Sequence, residues 1–293
     1  MTQHGHELVF ASQQERARQY NARASVADFD ACAREYTRLA DIAKRECAGI
    51  YDLHYGQGAA ERLDIFPAMR HQQPAPLFVF IHGGYWHSQA KEDAPIMAKA
   101  FTDAGIAVCT LEYTLLPEAT LAETVREARS AVSWLYHNAA AYGIDRNRIH
   151  VGGSSAGGHL AAMLGAGGWQ GQYQLPDDAV KGVLSLSGLY DLRPLCDIYV
   201  NEWLQLHPEQ AQRLSPLFLL PAQDVPVVLA VGGLETDGFK NQTYAYEAAC
   251  REKGLNVRRV ETPRCNHFDL LCELCDPGSD LSQATFDMVL RRG

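Results

Sequence analysis

The chain has 293 residues, 47% of them hydrophobic and 21% charged, with a formal net charge of −9. That supplies ample material for a core, and with no basic run to track a phosphate backbone it argues against nucleic acid as a partner. No stretch of about 18 consecutive apolar residues appears, so no membrane span is expected. The opening "MTQHGHELVF" lacks the basic end and apolar block of a secretory leader, and eight scattered cysteines are then expected as reduced thiols in a cytoplasmic protein.

In chain order, residues 1–47 are polar and helix-favouring, with apolar residues at three- and four-residue spacing through "ADFDACAREYTRLADIAKREC". "IYDLHYG" and "ERLDIFP" alternate as an edge hairpin would, with Gly56 to Gly58 at the turn. "PLFVFIHGG" is a continuous apolar run ending in glycines, the pattern of a buried central strand, and "GIAVCTLEY" repeats it after a helical segment beginning near Lys91. Thr120 and Glu123 are spaced as a capping box opening a helix over 121–142. "RIHVGG" is the next strand and "SAGGHLAAMLGA" the next helix. "VKGVLSLSG", "VPVVLAVGG" and "NVRRVETP" follow as strands, with the helix "NQTYAYEAACREKG" between the last two and a closing helix near 279–291.

Strands alternating with helices predict an α/β fold, a mostly parallel but mixed central sheet covered by helices on both faces. With no linker or internal repeat, one domain spanning 1–293 is expected, with 1–47 as an N-terminal helical extension. Residues 192–222 are rich in Pro, Leu and aromatics, lack the repeat rhythm, and are read as a cap or rim.

Gly153-Ser154-Ser155-Ala156-Gly157 fits G-x-S-x-G with Ser155 at its centre; a shift of one residue would put Ala156 at the last glycine position. Between a strand and a helix this is the pattern of a nucleophile elbow, in which a strained turn lifts the hydroxyl from the sheet. A phosphate loop would want Lys after the last glycine, where His159 and Leu160 follow instead. A serine hydrolase also needs N–H donors for the developing oxyanion. Ala156, just after the nucleophile, supplies one; Gly84 and Tyr85 of "HGGYW" are the expected loop donors, with Gly83 giving the loop its turn and His82 bracing it.

The serine needs a base oriented by a carboxylate, in the chain order nucleophile, acid, histidine. Of eleven histidines, His267 alone stands in a loop just after the last predicted strand. The acid should follow "VPVVLAVGG", which leaves Glu235 and Asp237, with Glu235 nearer the strand end; Asp191 reads as a structural loop carboxylate. Cys272 and Cys275, near Cys265 and His267, raise a zinc site, which is set aside because the segment reads as apolar helix and no second CxxC exists. No metal and no cofactor are expected.

Taken together, "HGGYW", "GGSSAGGHLAA", "LSGLYDL", "VGGLETDGF" and "NHFDLL" resemble the serine-dependent kynurenine formamidases (arylformamidases) of the α/β-hydrolase superfamily, from about residue 50 to the end. The resemblance implies a Ser155, Glu235, His267 triad, a pocket shaped by Tyr85 and Trp86, and small aromatic amides or esters as substrates; a homodimer is entertained as its assembly. The family's animal members hydrolyse N-formylkynurenine to kynurenine and formate. This chain departs from them in having Glu as the acid where they have Asp, which leaves the chemistry intact, and a double serine where they have His-Ser; both place it off the animal branch and leave the substrate open.

Overall fold

The computed structural model describes residues 8, 10–69, 74–222 and 225–291. Eight strands form one sheet in the order β1-β2-β4-β3-β5-β6-β7-β8. They are β1 (Ile50–His54), β2 (Arg62–Phe66), β3 (Ala75–Ile81), β4 (Ala107–Leu111), β5 (Ile144–Ser154), β6 (Val180–Leu186), β7 (Val227–Gly232) and β8 (Val257–Thr262). β2 runs antiparallel to β1 and to β4, and the remaining neighbours are parallel. The hairpin at the antiparallel edge is the one expected from the alternation over 50–66. All seven residues of β3 are buried, as an inner parallel strand covered on both faces requires. β8, at the sheet edge, mixes buried and exposed positions.

Helices fill the crossovers. α1 (Gln13–Gln19) and α2 (Phe29–Glu46) precede the sheet. α3 (Ala98–Asp103), α4 (Leu121–Asn138) and α5 (Ala156–Gly165) follow β3, β4 and β5; α6 (Asn201–Leu204) and α7 (Pro208–Arg213) lie between β6 and β7. α8 (Asp237–Glu252) links β7 to β8, and α9 (Asp269–Cys272) and α10 (Asp280–Leu290) close the chain.

Two elements differ from expectation. The helical segment expected from Lys91 is two single-turn 3₁₀ helices, Lys91–Asp93 and Pro95–Met97, before α3 begins at Ala98. Pro95 has no N–H to continue a helix from 91, and the Lys91 ammonium is drawn inward to Asp64 at 2.9 Å and Glu92 at 2.7 Å. The helix expected over 121–142 opens with the Thr120 hydroxyl accepting from the Glu123 N–H at 3.2 Å, but only this half of the capping box forms, the Glu123 carboxylate turning to Arg126 at 2.7 Å. The helix then tightens to 3₁₀ over Ala139–Tyr142 before Gly143 at φ +67°.

Register brings the strand ends level. Ile81 pairs with Leu111 and Gly153, Ser154 with Leu186, and Gly232 with Thr262. The loops after β3, β5, β6, β7 and β8 therefore leave from one carboxyl edge, where open α/β sheets bind their ligands.

Candidate active site

Ser155 stands between β5 and α5 at φ 57°, ψ −118°, a conformation that costs a non-glycine residue about 1–3 kcal/mol. The turn is held from below by the Ser155 N–H, which donates to the Leu186 carbonyl at 2.8 Å. Its glycines are there for space. A Cβ on Gly157 would sit 2.0 Å from the Ile81 oxygen, and one on Gly153 would sit 2.3 Å from the Gly157 backbone. Only bare backbone lets α5 start this close to β3. The Ala156 N–H opens α5, a helix buried along its whole length, and so faces the site with the helix's partial positive charge.

The loop after β3 carries three consecutive left-handed residues, Gly84 (φ 85°), Tyr85 (φ 53°) and Trp86 (φ 56°). The turn thus belongs to Gly84 rather than to Gly83. What Gly83 supplies is room: a Cβ there would meet the Ser154 oxygen at 2.9 Å and the Ser155 Cβ at 3.3 Å. Its N–H donates to the Gln89 side-chain oxygen at 3.1 Å.

Side chains from elsewhere hold this loop. His82 Nε2 donates to Glu112 Oε1 at 3.0 Å, and the imidazole stacks on Tyr113 with centroids 4.3 Å apart. The Tyr113 hydroxyl reaches the His82 and Gly83 carbonyls, each at 3.1 Å. Burial alone would raise the Glu112 carboxyl, but the His82 contact and the Lys91 and Tyr113 N–H groups hold it below its ordinary value. The Tyr85 hydroxyl donates to the Tyr20 carbonyl at 2.5 Å, and Trp203 Nε1 donates to the Tyr85 carbonyl at 3.2 Å.

His267, in the loop after β8, donates through Nδ1 to Glu235 Oε2 at 2.6 Å, with both side chains buried. The other Glu235 oxygen accepts from Ser187 Oγ at 2.5 Å and from the Gly232 N–H at 2.6 Å. Three donors on one carboxylate fix its plane and direction. Asp237 is exposed in the first turn of α8, so of the two candidate acids the structure brings Glu235 to the histidine. Ser187, in the left-handed region at φ 48° after β6, was not singled out in the sequence; its signal was a hydroxyl at a strand end inside "LSLSGLYDL". Asp191 is fully buried and pairs with Arg193 at 2.7 Å, the structural part expected of it.

Ser155, His267, Gly83, Gly84 and Tyr85 line one cavity of about 1020 Å³. The cavity is also lined by residues 21–24, Phe29, Ala33, Tyr36 and Thr37 of the N-terminal segment, and by Tyr199 and Trp203 of the 192–222 segment. The Tyr36 hydroxyl donates to the Phe268 carbonyl at 2.6 Å, next to His267.

Trp86, expected to shape the pocket, is not part of the cavity lining. Its indole is wholly buried, edge-on to the His159 ring at 5.0 Å. His159 itself is held near a pKa of about 4 by burial, its Nε2 donating to the Leu214 carbonyl at 2.8 Å. Among the described residues no group of three or more His, Cys, Asp or Glu is placed to hold a metal ion, and no helix is long and apolar enough to cross a membrane.

Comparison with known proteins adds the relatives. The family model BD-FAE matches residues 63–238. The kynurenine formamidase of Salmo salar is 31% identical over 82% of this chain and 82% of its own length. Esterase LipC of Mycobacterium tuberculosis is 27% identical over 74% of this chain and 59% of its own. A crystal structure from Silicibacter sp. tm1040, provisionally called a thioesterase, superposes with a TM-score of 0.79 at 28% identity, covering 98% of this chain and all of that one.

Proposed function

The chain belongs to the BD-FAE family and is a kynurenine-formamidase-like α/β hydrolase acting on amide or ester bonds; from that premise we propose that it cleaves N-formyl and other short N-acyl arylamides through a Ser155–His267–Glu235 acyl-enzyme. The observation that carries the proposal is the 2.6 Å bond from His267 Nδ1 to Glu235, in the wall of the cavity that also presents the strained Ser155. With Nδ1–H committed to the carboxylate, Nε2 is left as the basic nitrogen.

In the first half-reaction His267 Nε2 takes the Ser155 proton as the oxygen attacks the acyl carbonyl. The Gly84, Tyr85 and Ala156 N–H groups receive the oxyanion, each such donor contributing about 2.7–4 kcal/mol to barrier lowering in comparable sites. Gly83, its own N–H engaged by Gln89, contributes the close approach of the loop. Imidazolium then protonates the departing arylamine; Glu235 stays ionised and supports the imidazolium. Water, activated by the same histidine, releases the acid. An anilide nitrogen leaves more readily than an alkylamine because its ring accepts the lone pair.

Tyr85, its hydroxyl anchored on Tyr20, is the aromatic residue of "HGGYW" that faces the cavity, and it crowds the acyl side in favour of formyl. Burial holds that hydroxyl protonated. The chain is read as one domain in which the N-terminal segment walls the site. Eight free cysteines suit a reducing compartment, and the cytoplasm is the proposed location.

A second reading, a small-acyl carboxylesterase or aryl-acylamidase on the same machinery, draws on the esterase relatives. Kinetics on N-formyl and N-acetyl arylamines with matched aryl esters separate the two. The proposal expects kcat/KM highest for the N-formyl arylamines, and preference for the esters with no formanilide turnover would overturn it. Ser155→Ala is expected to lower kcat by at least about 10⁴-fold and to abolish labelling by a fluorophosphonate.

A further inference from the structure

Arg23 lies in the short turn between α1 and α2 and lines the cavity that holds Ser155 and His267. Its guanidinium sits 4.4 Å over the Phe29 ring; Phe29 packs edge-on against Phe268 at 5.0 Å, and Phe268 against His267 at 5.3 Å. An aromatic wall thus runs from the histidine outward to the cation. Among the described residues no carboxylate pairs with Arg23: the nearby Asp28 caps α2 at the Ala31 N–H and faces Arg34 at 3.6 Å. The one acidic side chain in the cavity lining, Asp93, is committed to the Ala90 N–H at 3.2 Å, and His87 to the Leu116 carbonyl at 2.7 Å. In a protein of net charge −9, an exposed guanidinium in this lining is a fixed positive charge within reach of a bound molecule.

We propose that Arg23 is a specificity-determining residue that binds a carboxylate on the leaving-group side of the substrate, remote from the scissile carbonyl. The inference rests on the hydrolase reading above and adds the substrate's charge to it. Phe29 and Phe268 give the cavity wall apolar surface for an aryl ring, while the planar guanidinium, held over Phe29, offers paired N–H donors to a carboxylate. A cavity of about 1020 Å³ exceeds what a formyl group and aniline need, and Arg23 is part of its lining.

The test compares 3-(2-formamidophenyl)propanoate with its primary amide, as substrates, and the two corresponding anilines, as ligands in equilibrium calorimetry. Arg23→Gln is expected to cut the carboxylate-to-amide ratio of kcat/KM about tenfold, chiefly through KM, and to weaken the propanoate aniline relative to the propanamide by a similar factor. Arg23→Lys should restore part of the discrimination, and raised salt should erode it in the wild type. Thermal melting checks that Arg23→Gln is folded. Equal effects of Arg23→Gln on both members of each pair, or no effect on either, would overturn the proposal. The calorimetric arm needs no turnover: if the wild type cleaves neither formanilide yet discriminates between the anilines through Arg23, the hydrolytic reading fails and the anion site stands.

Discussion

The turn around Ser155 (152–158) and the loop after β3 (82–89) meet at one point, yet they are held in opposite ways. The first keeps its shape by lacking side chains: Gly153 and Gly157 let three stretches of backbone lie in contact. The second keeps three successive left-handed residues in place by borrowing side chains from Glu112, Tyr113 and Trp203 and a carbonyl from Tyr20. A turn shaped by absence is intolerant of addition. A loop shaped by borrowed contacts should weaken in steps.

The sharpest way to break that contrast is Gly157→Ala. With the Ile81 oxygen 2.0 Å from the new Cβ and neither backbone free to move, loss of several kcal/mol of stability, above the about 1–3 kcal/mol usual for overpacking, is expected along with all activity. Chemical denaturation and the ester assay read both. An active, stable Gly157→Ala protein would show that the turn is softer than its packing implies.

The same contrast explains what could be read from the chain. The elbow was legible because its geometry dictates residue type locally, and the strand-end positions of His267 and Glu235 because topology orders them. The choice of Glu235 over Asp237 needed coordinates, since one turn of chain separates the residue facing the histidine from the exposed one. Trp86 was misplaced because its neighbour in space, His159, is far along the chain: an aromatic beside a site reads as a pocket wall until α5 is seen beneath it. Tyr20 and Tyr36 carried no signal of their own, and Ser187 only a hydroxyl at a strand end, because each acts through a contact with a distant segment.

A second test lies where the two regions touch. His159, on α5 and against Trp86, keeps its folded pKa at about 4, below the unfolded value of 6.5. Between those values the unfolded chain binds more protons, so stability is highest above about pH 6.5 and falls on acidification until about pH 4. The loss from this group is on the order of 3 kcal/mol. Denaturation midpoints across that range should show the decline, with His159→Phe flattening it. His150, buried and likewise lowered to about 4, adds a parallel decline that His159→Phe leaves in place. An unchanged slope in the variant would assign the acid sensitivity elsewhere.

The smallest expected effect is Glu112→Gln. It keeps the shape but removes the charge behind His82, and should lower kcat about five- to thirtyfold, about 1–2 kcal/mol, with little change in KM. A change in KM alone would mean that the loop positions substrate rather than the oxyanion.

The N-terminal helices have a consequence of their own. Gln19 receives the Thr236 hydroxyl and, on its side chain, the Gly238 N–H at 3.0 Å; Tyr20 receives Tyr85; Tyr36 reaches the carbonyl beside His267. One early stretch of polypeptide therefore fastens to the loops that carry Tyr85, Glu235 and His267 at once. During synthesis it precedes the sheet and must wait for residue 268 before its last anchor exists, so the crevice takes final form only after β8 has been made. A protein cut just before β1 would lose the part of the cavity wall that residues 21–37 supply.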